Sequence, residues 1–149
     1  MAHTFTNLLS HVIFSTKDRL PLLTPDLRAD MLAYLGGVIR NLDGKVIGSN
    51  ARPDHVHCLL SLSPTLAVAE ALRVLKSNSS LWAHETRHRA NFAWQTGYGA
   101  FSVSQSNVPA VVRYIRSQEQ HHRKVSFQEE FIAFLKRYGT AYDERYIWE

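Results

Sequence analysis

The sequence is short of cysteine, of export signals and of long apolar runs, and each shortage removes a class of function. Its one cysteine, Cys58, excludes an intramolecular disulfide and a cysteine-rich zinc site, and suits a reducing compartment. Nowhere do about eighteen apolar residues run together, as a membrane span would require. The N-terminus lacks a basic segment followed by an apolar core, so the expectation is a cytoplasmic protein with no membrane association. Acidic residues are also in deficit: 13 Asp and Glu against 17 Lys and Arg leave a formal charge of +4. That excess favours a polyanionic partner without demanding one. At 149 residues, 45% hydrophobic and 20% charged, the chain suits a single domain over 1–149 with its own core, and it shows no repeat, linker or low-complexity segment.

Read in order, residues 7–16 end in a β-branched and aromatic run and stop at a charged turn, which predicts a first strand containing His11. A lone histidine there is read as a hydrogen-bonded structural residue, or one reaching nucleic acid from an exposed face. Thr24 and Pro25 open a helix with Leu27, Met31, Leu35 and Val38 at helical spacing, ending near 41–44. Residues 45–50 form a second strand, and the turn at Arg52, Pro53 and Asp54 leads into a third over 55–62, giving an antiparallel hairpin. A second helix follows Pro64 and Thr65, interrupted or bent by the serine-rich stretch 77–80, with a basic face continuing to Arg89. Residues 92–104 read as a fourth strand with a bulge or turn at 97–99. A third helix capped by Ser106 or Asn107 runs to about Arg123, a fourth starts at Ser126, and the aromatic tail packs on a neighbour. The order strand, helix, strand, strand, helix, strand describes an α+β, ferredoxin-like split β-α-β sandwich. It has one antiparallel sheet with helices on one face, the other face open for a site, and C-terminal helices added.

Two features carry chemistry. Alternation on the third strand puts His55 and His57 on one face, roughly 7 Å apart, close enough to share a metal ion. On the third helix, Tyr114 and Gln118 are four apart and share a face. Two neutral imidazoles and an amide oxygen leave a divalent ion its full charge and open positions, which suits polarising a phosphodiester, and a tyrosine on the same face is a nucleophile. Lys76, Arg87 and Arg89 with Trp94, and the basic helix end at His121, His122 and Arg123, match a site that holds a strand by its backbone and by base stacking.

Taken together, His55-Val56-His57, the pair Tyr114 and Gln118, Trp94-Gln95, the run Phe101-Ser102-Val103-Ser104 and the element order resemble the HUH single-tyrosine transposases of small bacterial insertion sequences. Their relatives associated with repetitive extragenic palindromes share these features. The resemblance covers essentially the whole chain. It implies a homodimer acting on single-stranded DNA, for which hairpin-forming element ends are one candidate substrate. It also implies Mg²⁺ or Mn²⁺ held by His55, His57 and Gln118, and attack by Tyr114 to give a 5′-phosphotyrosine and a free 3′-hydroxyl. In that family the tyrosine helix can dock on the partner's sheet, although the short connection here also allows it to fold back. His121 and His122 follow Gln118 by three and four residues and compete with it as ligands. Gln118 is preferred for its spacing from Tyr114, which matches the family.

Two other enzyme classes fit poorly. A histidine-triad hydrolase needs a third alternating histidine where Leu59 stands, and a cupin-type site needs a carboxylate where Leu60, Ser61 and Leu62 stand. The remaining alternative is a non-catalytic binder of single-stranded nucleic acid on the same sandwich, which has no use for Tyr114 or for metal ligands.

Overall fold

The computed structural model describes residues 3–149. Four strands, β1 (Leu8–Ser15), β2 (Lys45–Ala51), β3 (His55–Leu62) and β4 (Gly99–Ser102), form one antiparallel sheet in the order β2-β3-β1-β4. Helices α1 (Pro25–Asn41) and α2 (Val68–Glu85) make the two crossovers. This is the expected ferredoxin-like topology, and β1 and β3 occupy its centre.

Alternation divides the sheet. Val12 and Phe14 of β1 and Val56, Cys58 and Leu60 of β3 point to α1 and α2, where they join Leu27, Met31, Leu35, Leu72 and Leu75 in the main core. Cys58 packs here, and burial pushes its thiol up to about 12, so it is an inert apolar filler.

The opposite face, expected to stay open, is covered by the chain's own C-terminal helices: α3 (Val108–Arg116), α4 (Gln118–His121) and α5 (Phe127–Arg137). Ile115 of α3 packs with Leu9, Leu59 and Val103, while Phe127, Phe131 and Leu135 of α5 pack with Ile13 and Phe101. The tail returns to this layer through Tyr142, Ile147 and Trp148. The tyrosine helix therefore folds back on its own sheet, against β2 and β3.

Three local expectations need correction. The serine-rich stretch does not break α2, because buried Ser79 donates its hydroxyl to the Leu75 carbonyl (2.7 Å) and accepts the Trp94 indole N–H (2.9 Å). β4 is only four residues long. The segment before it is held as a loop, with Ser15 N–H donating to Gln95 Oε1 (2.5 Å) and Lys76 Nζ donating to the Gln95 and Gly97 carbonyls. Gly99 is required by close approach, since a Cβ there would lie 2.7 Å from Phe131 Cε2. Finally, the third helix stops at Ser117 (φ −92°, ψ 16°), whose hydroxyl donates back to the Tyr114 carbonyl at 3.1 Å, and Gln118 opens the separate α4. The cap of α5 forms as expected, with Ser126 Oγ accepting from the Glu129 N–H.

Candidate active site

His55 and His57 project from the central strand β3 towards the C-terminal layer and are 1% and 0% exposed. Across the ladder they stand opposite Ser15 and Ile13 of β1. His11, on the same face of β1, places its Nε2 2.8 Å from His57 Nδ1, so it belongs to the cluster and does not reach outwards.

The centre of the cluster is Glu130 in the first turn of α5, 2% exposed, a residue the sequence alone did not single out. Its Oε1 lies 2.8 Å from His57 Nε2 and 3.7 Å from His55 Nε2. Its Oε2 lies 3.0 Å from His121 Nε2 and 3.3 Å from His122 Nε2, and accepts the hydroxyl proton of Tyr114. The signal was there to be read: 127, 130, 131 and 134 share one helical face, and Glu130 is the one charge on a face otherwise made of Phe127, Phe131 and Phe134.

The outer nitrogens of two rings are anchored. His55 Nδ1 lies 2.7 Å from Asp54 Oδ1, and His122 Nδ1 lies 2.7 Å from the Val125 carbonyl. Each Nδ1–H donates to its oxygen, so each ring turns an Nε2 lone pair inwards, as outer hydrogen bonds do for histidines that hold a metal. Those two Nε2 atoms are 3.0 Å apart. Two lone pairs at that distance repel unless a proton or a cation lies between them.

The electrostatics follow from burial and from Glu130. Burial pulls His57 down to about 4 against the pull of Glu130, and burial together with the charge of His57 pulls His11 down to about 3, so both rings are neutral at pH 7. Burial pushes Glu130 up, but hydrogen bonds from His122 and His57 outweigh it and hold the carboxyl far below the usual range. Burial also lowers His122, yet its contact with Glu130 leaves it raised overall. The Tyr114 phenol is pushed well above its ordinary value, by burial first and then by the carboxylate beside it.

Gln118 lies beneath Tyr114, fully buried, with its Nε2 3.4 Å from the Tyr114 carbonyl and its Oε1 without a partner. A buried orphan oxygen costs stability unless something binds it. With the inward lone pairs of His55 and His122 and the carboxylate of Glu130, it makes the donor chemistry of the site fit a divalent cation.

The other basic candidates are not brought here. Lys76 is tied to the 95–97 carbonyls. Arg87 pairs with Asp30 (2.6 Å), and Arg89 with Asp26 (2.7 Å) and Thr24, at the start of α1. Trp94 packs edge-on to Phe14 and Phe92. Arg123 is exposed on the turn after α4, beside the site. Sequence periodicity finds basic side chains but not the carboxylates that the fold sets against them. On the tyrosine side, cavities of about 240 and 280 Å³ share Tyr114, Phe134 and Arg137 as lining, and the first is completed by His11, Asn107 and Tyr138.

No helix among the described residues is long and apolar enough to cross a membrane. Residues 4–118 match the family described as "Transposase IS200 like". The chain is 27% identical over 128 residues to the transposase for insertion sequence element IS200 of Salmonella typhimurium, covering 79% of this chain and 81% of that one. It is 26% identical over 121 residues to the ISDra2 transposase TnpA of Deinococcus radiodurans, covering 72% and 81%. Among solved structures, a proposed transposase from Deinococcus radiodurans R1 superposes with a TM-score of 0.62 at 22% identity, covering 79% of this chain and 95% of that one. A REP-associated tyrosine transposase bound to a REP hairpin gives 0.61 at 18% identity, covering 84% and 74%. The fold is shared with both structures. The family match runs from the residues before β1 through the histidine strand to Gln118, and on that ground the chain belongs to the IS200-like transposases, a family of DNA-cleaving enzymes.

Proposed function

We propose that this transposase cuts and rejoins single-stranded DNA by transesterification at Tyr114, assisted by a divalent ion, Mg²⁺ or Mn²⁺, at His55 and His57 with Gln118 as a further oxygen donor. The observation that carries the reading is the placement of the Tyr114 hydroxyl on the Glu130 carboxylate, whose other oxygen is 2.8 Å from His57 Nε2. A nucleophile, a proton acceptor and the metal-type imidazoles thus occupy one buried space.

The chain's own residues account for most of the reaction. Tyr114 attacks the scissile phosphorus, its proton passing to Glu130 Oε2. A phenol-oxygen to phosphorus bond forms, the bond to the 3′-oxygen breaks, and that oxygen leaves as a hydroxyl after taking up a proton. Burial and the adjacent carboxylate push the phenol above its ordinary pKa, so it holds its proton more tightly until positive charge is brought beside it. The ion supplies Lewis-acid polarisation of the phosphate and stabilises the charge that develops in the transition state. The 5′-phosphotyrosine keeps the phosphodiester energy, so attack by a 3′-hydroxyl reverses the step without a nucleotide cofactor.

Exposed Arg113, Arg116, Arg123, Lys124, Lys136 and Arg137 surround this layer, and none is in an ion pair among the described residues. They offer a backbone-binding surface on the tyrosine side. The REP hairpin held by the structural relative supports hairpin-forming ends as substrate, and the working assembly is proposed to be a homodimer. Incubation with labelled single strands and Mn²⁺ should give a denaturation-resistant adduct that Tyr114→Phe abolishes while DNA binding stays within about twofold. An adduct undiminished in that variant rules out Tyr114.

A further inference from the structure

We infer that the ion-binding centre of this chain is a four-residue set, His55, His57, His122 and Glu130, and that it selects a transition-metal ion of the Mn²⁺, Co²⁺ or Zn²⁺ class over Mg²⁺. The inference rests on the proposal that an ion is bound at the two strand histidines, and it extends the ligand set to residues outside the family-matched span, which ends at Gln118.

One donor atom from each of these four residues lies within 4.8 Å of all the others. No movement of an element is needed to gather them, because β3 supplies two and the α4–α5 turn and α5 supply the others. The ring anchors already described fix the inward nitrogens of His55 and His122 as lone-pair donors, on Asp54 and on the Val125 carbonyl. His57 reaches Glu130 through its Nε2, and His11 Nε2, 2.8 Å from His57 Nδ1, can accept a hydrogen bond from Nδ1–H when the Nε2 lone pair is needed for an ion. The carboxylate is buried and ionised, so it adds one negative charge to an otherwise neutral set.

Ligand chemistry decides the ion. Three imidazoles and one carboxylate suit Mn²⁺, Co²⁺ and Zn²⁺, whereas Mg²⁺ keeps its waters and favours oxygen-only surroundings. The Gln118 amide, placed beneath Tyr114, is then an additional oxygen donor on the nucleophile's side and does not define the site.

Co²⁺ titration followed by visible absorption tests this without reference to activity. Wild-type protein should develop a ligand-field band that survives about a hundredfold excess of Mg²⁺. Glu130→Gln and His122→Ala should each weaken Co²⁺ binding about tenfold or more, and Gln118→Ala less than either. Glu130→Gln keeps the shape of the side chain. If its circular dichroism nevertheless shows unfolding, Glu130→Asp is read in its place, with a shifted band expected. The inference is overturned if Glu130 and His122 variants bind as wild type does, if the Glu130→Asp band is unshifted, or if Mg²⁺ displaces Co²⁺. Absence of any Co²⁺ or Mn²⁺ binding by the wild type overturns the ion reading itself, which separates the two failures.

Discussion

The Nε2 atoms of His55 and His122 face each other at 3.0 Å while the Nδ1 atoms of both rings are occupied by outside acceptors. Without an ion the contact is satisfied by a proton, in keeping with the raised pKa of His122. Loading an ion must expel that proton. We expect Mn²⁺ binding below pH 6.5, where His122 with its raised pKa is largely protonated, to release protons, seen as a dependence of the calorimetric enthalpy on the buffer's ionisation enthalpy. Buffer-independent heats would show that the pair is not part of the ion site.

His11 controls which nitrogen His57 presents. In this structure His57 Nε2–H donates to Glu130, and His57 Nδ1 accepts from His11. Binding an ion at Nε2 requires the reverse tautomer. His11→Ala leaves Nδ1 without its partner and should weaken Mn²⁺ binding about 10- to 100-fold, with His11→Asn restoring part of it. Equal affinities for all three proteins would reduce His11 to packing.

Acid should destabilise the ion-free protein in a defined window. His57 and His11 titrate at about 4 and 3 in the fold against 6.5 when unfolded. Between these values the unfolded chain binds more protons, so stability falls as pH falls from 6.5. His122 acts with the opposite sign: its raised pKa gives stability that is present below 6.5 and lost as pH rises above it. Between pH 3 and 8 the melting temperature of chelator-treated protein should therefore peak near pH 6.5, and His11→Asn should flatten the acid limb. A melting temperature that rises below pH 6 contradicts this.

Lys76 is expected to matter for stability and not for DNA. Its ammonium holds three carbonyls of the loop before β4. Lys76→Met should cost about 1–3 kcal/mol while leaving the salt dependence of DNA binding unchanged. Burial lowers this lysine from 10.5 to about 8, so the unfolded chain holds more protons between those values and wild-type stability rises with pH across them. The rise should vanish in the variant. A reduced salt slope for the variant would instead make Lys76 a phosphate contact.

The cis arrangement also has a direct readout. In mixed dimers of His57→Ala and Tyr114→Phe chains, the fold-back seen here leaves every site with one defect, so the mixture should be as inactive as either parent. Recovery of about half the activity per dimer would show that the tyrosine helix is exchanged between subunits.

Much of this was legible because it is local. Alternation placed His55 and His57 on one face, the bounds of β3 follow from its turn and its apolar run, and the element order gave the sheet. What escaped depends on contacts distant in sequence. Glu130 reads as an ordinary first-turn acid until α5 is seen lying over β3. Arg87 and Arg89 look free until Asp26 and Asp30 arrive from α1. The stop at Ser117, which looks like one more polar residue in a continuous helix, is fixed by its own hydroxyl on the Tyr114 carbonyl and by the burial of Gln118 beneath the tyrosine.

The contacts that join the two halves of the site span 67 and 73 residues of chain. Closing such loops is slow compared with forming the hairpin of β2 and β3 or the helices behind them. All four strands and Tyr114 leave the ribosome before Glu130, so on the mechanism proposed above a ribosome-bound chain has no proton acceptor for Tyr114 until Glu130 has emerged and α5 has docked. On that mechanism, a DNA-cutting protein built in this order stays unreactive until the last helix among the described residues is in place.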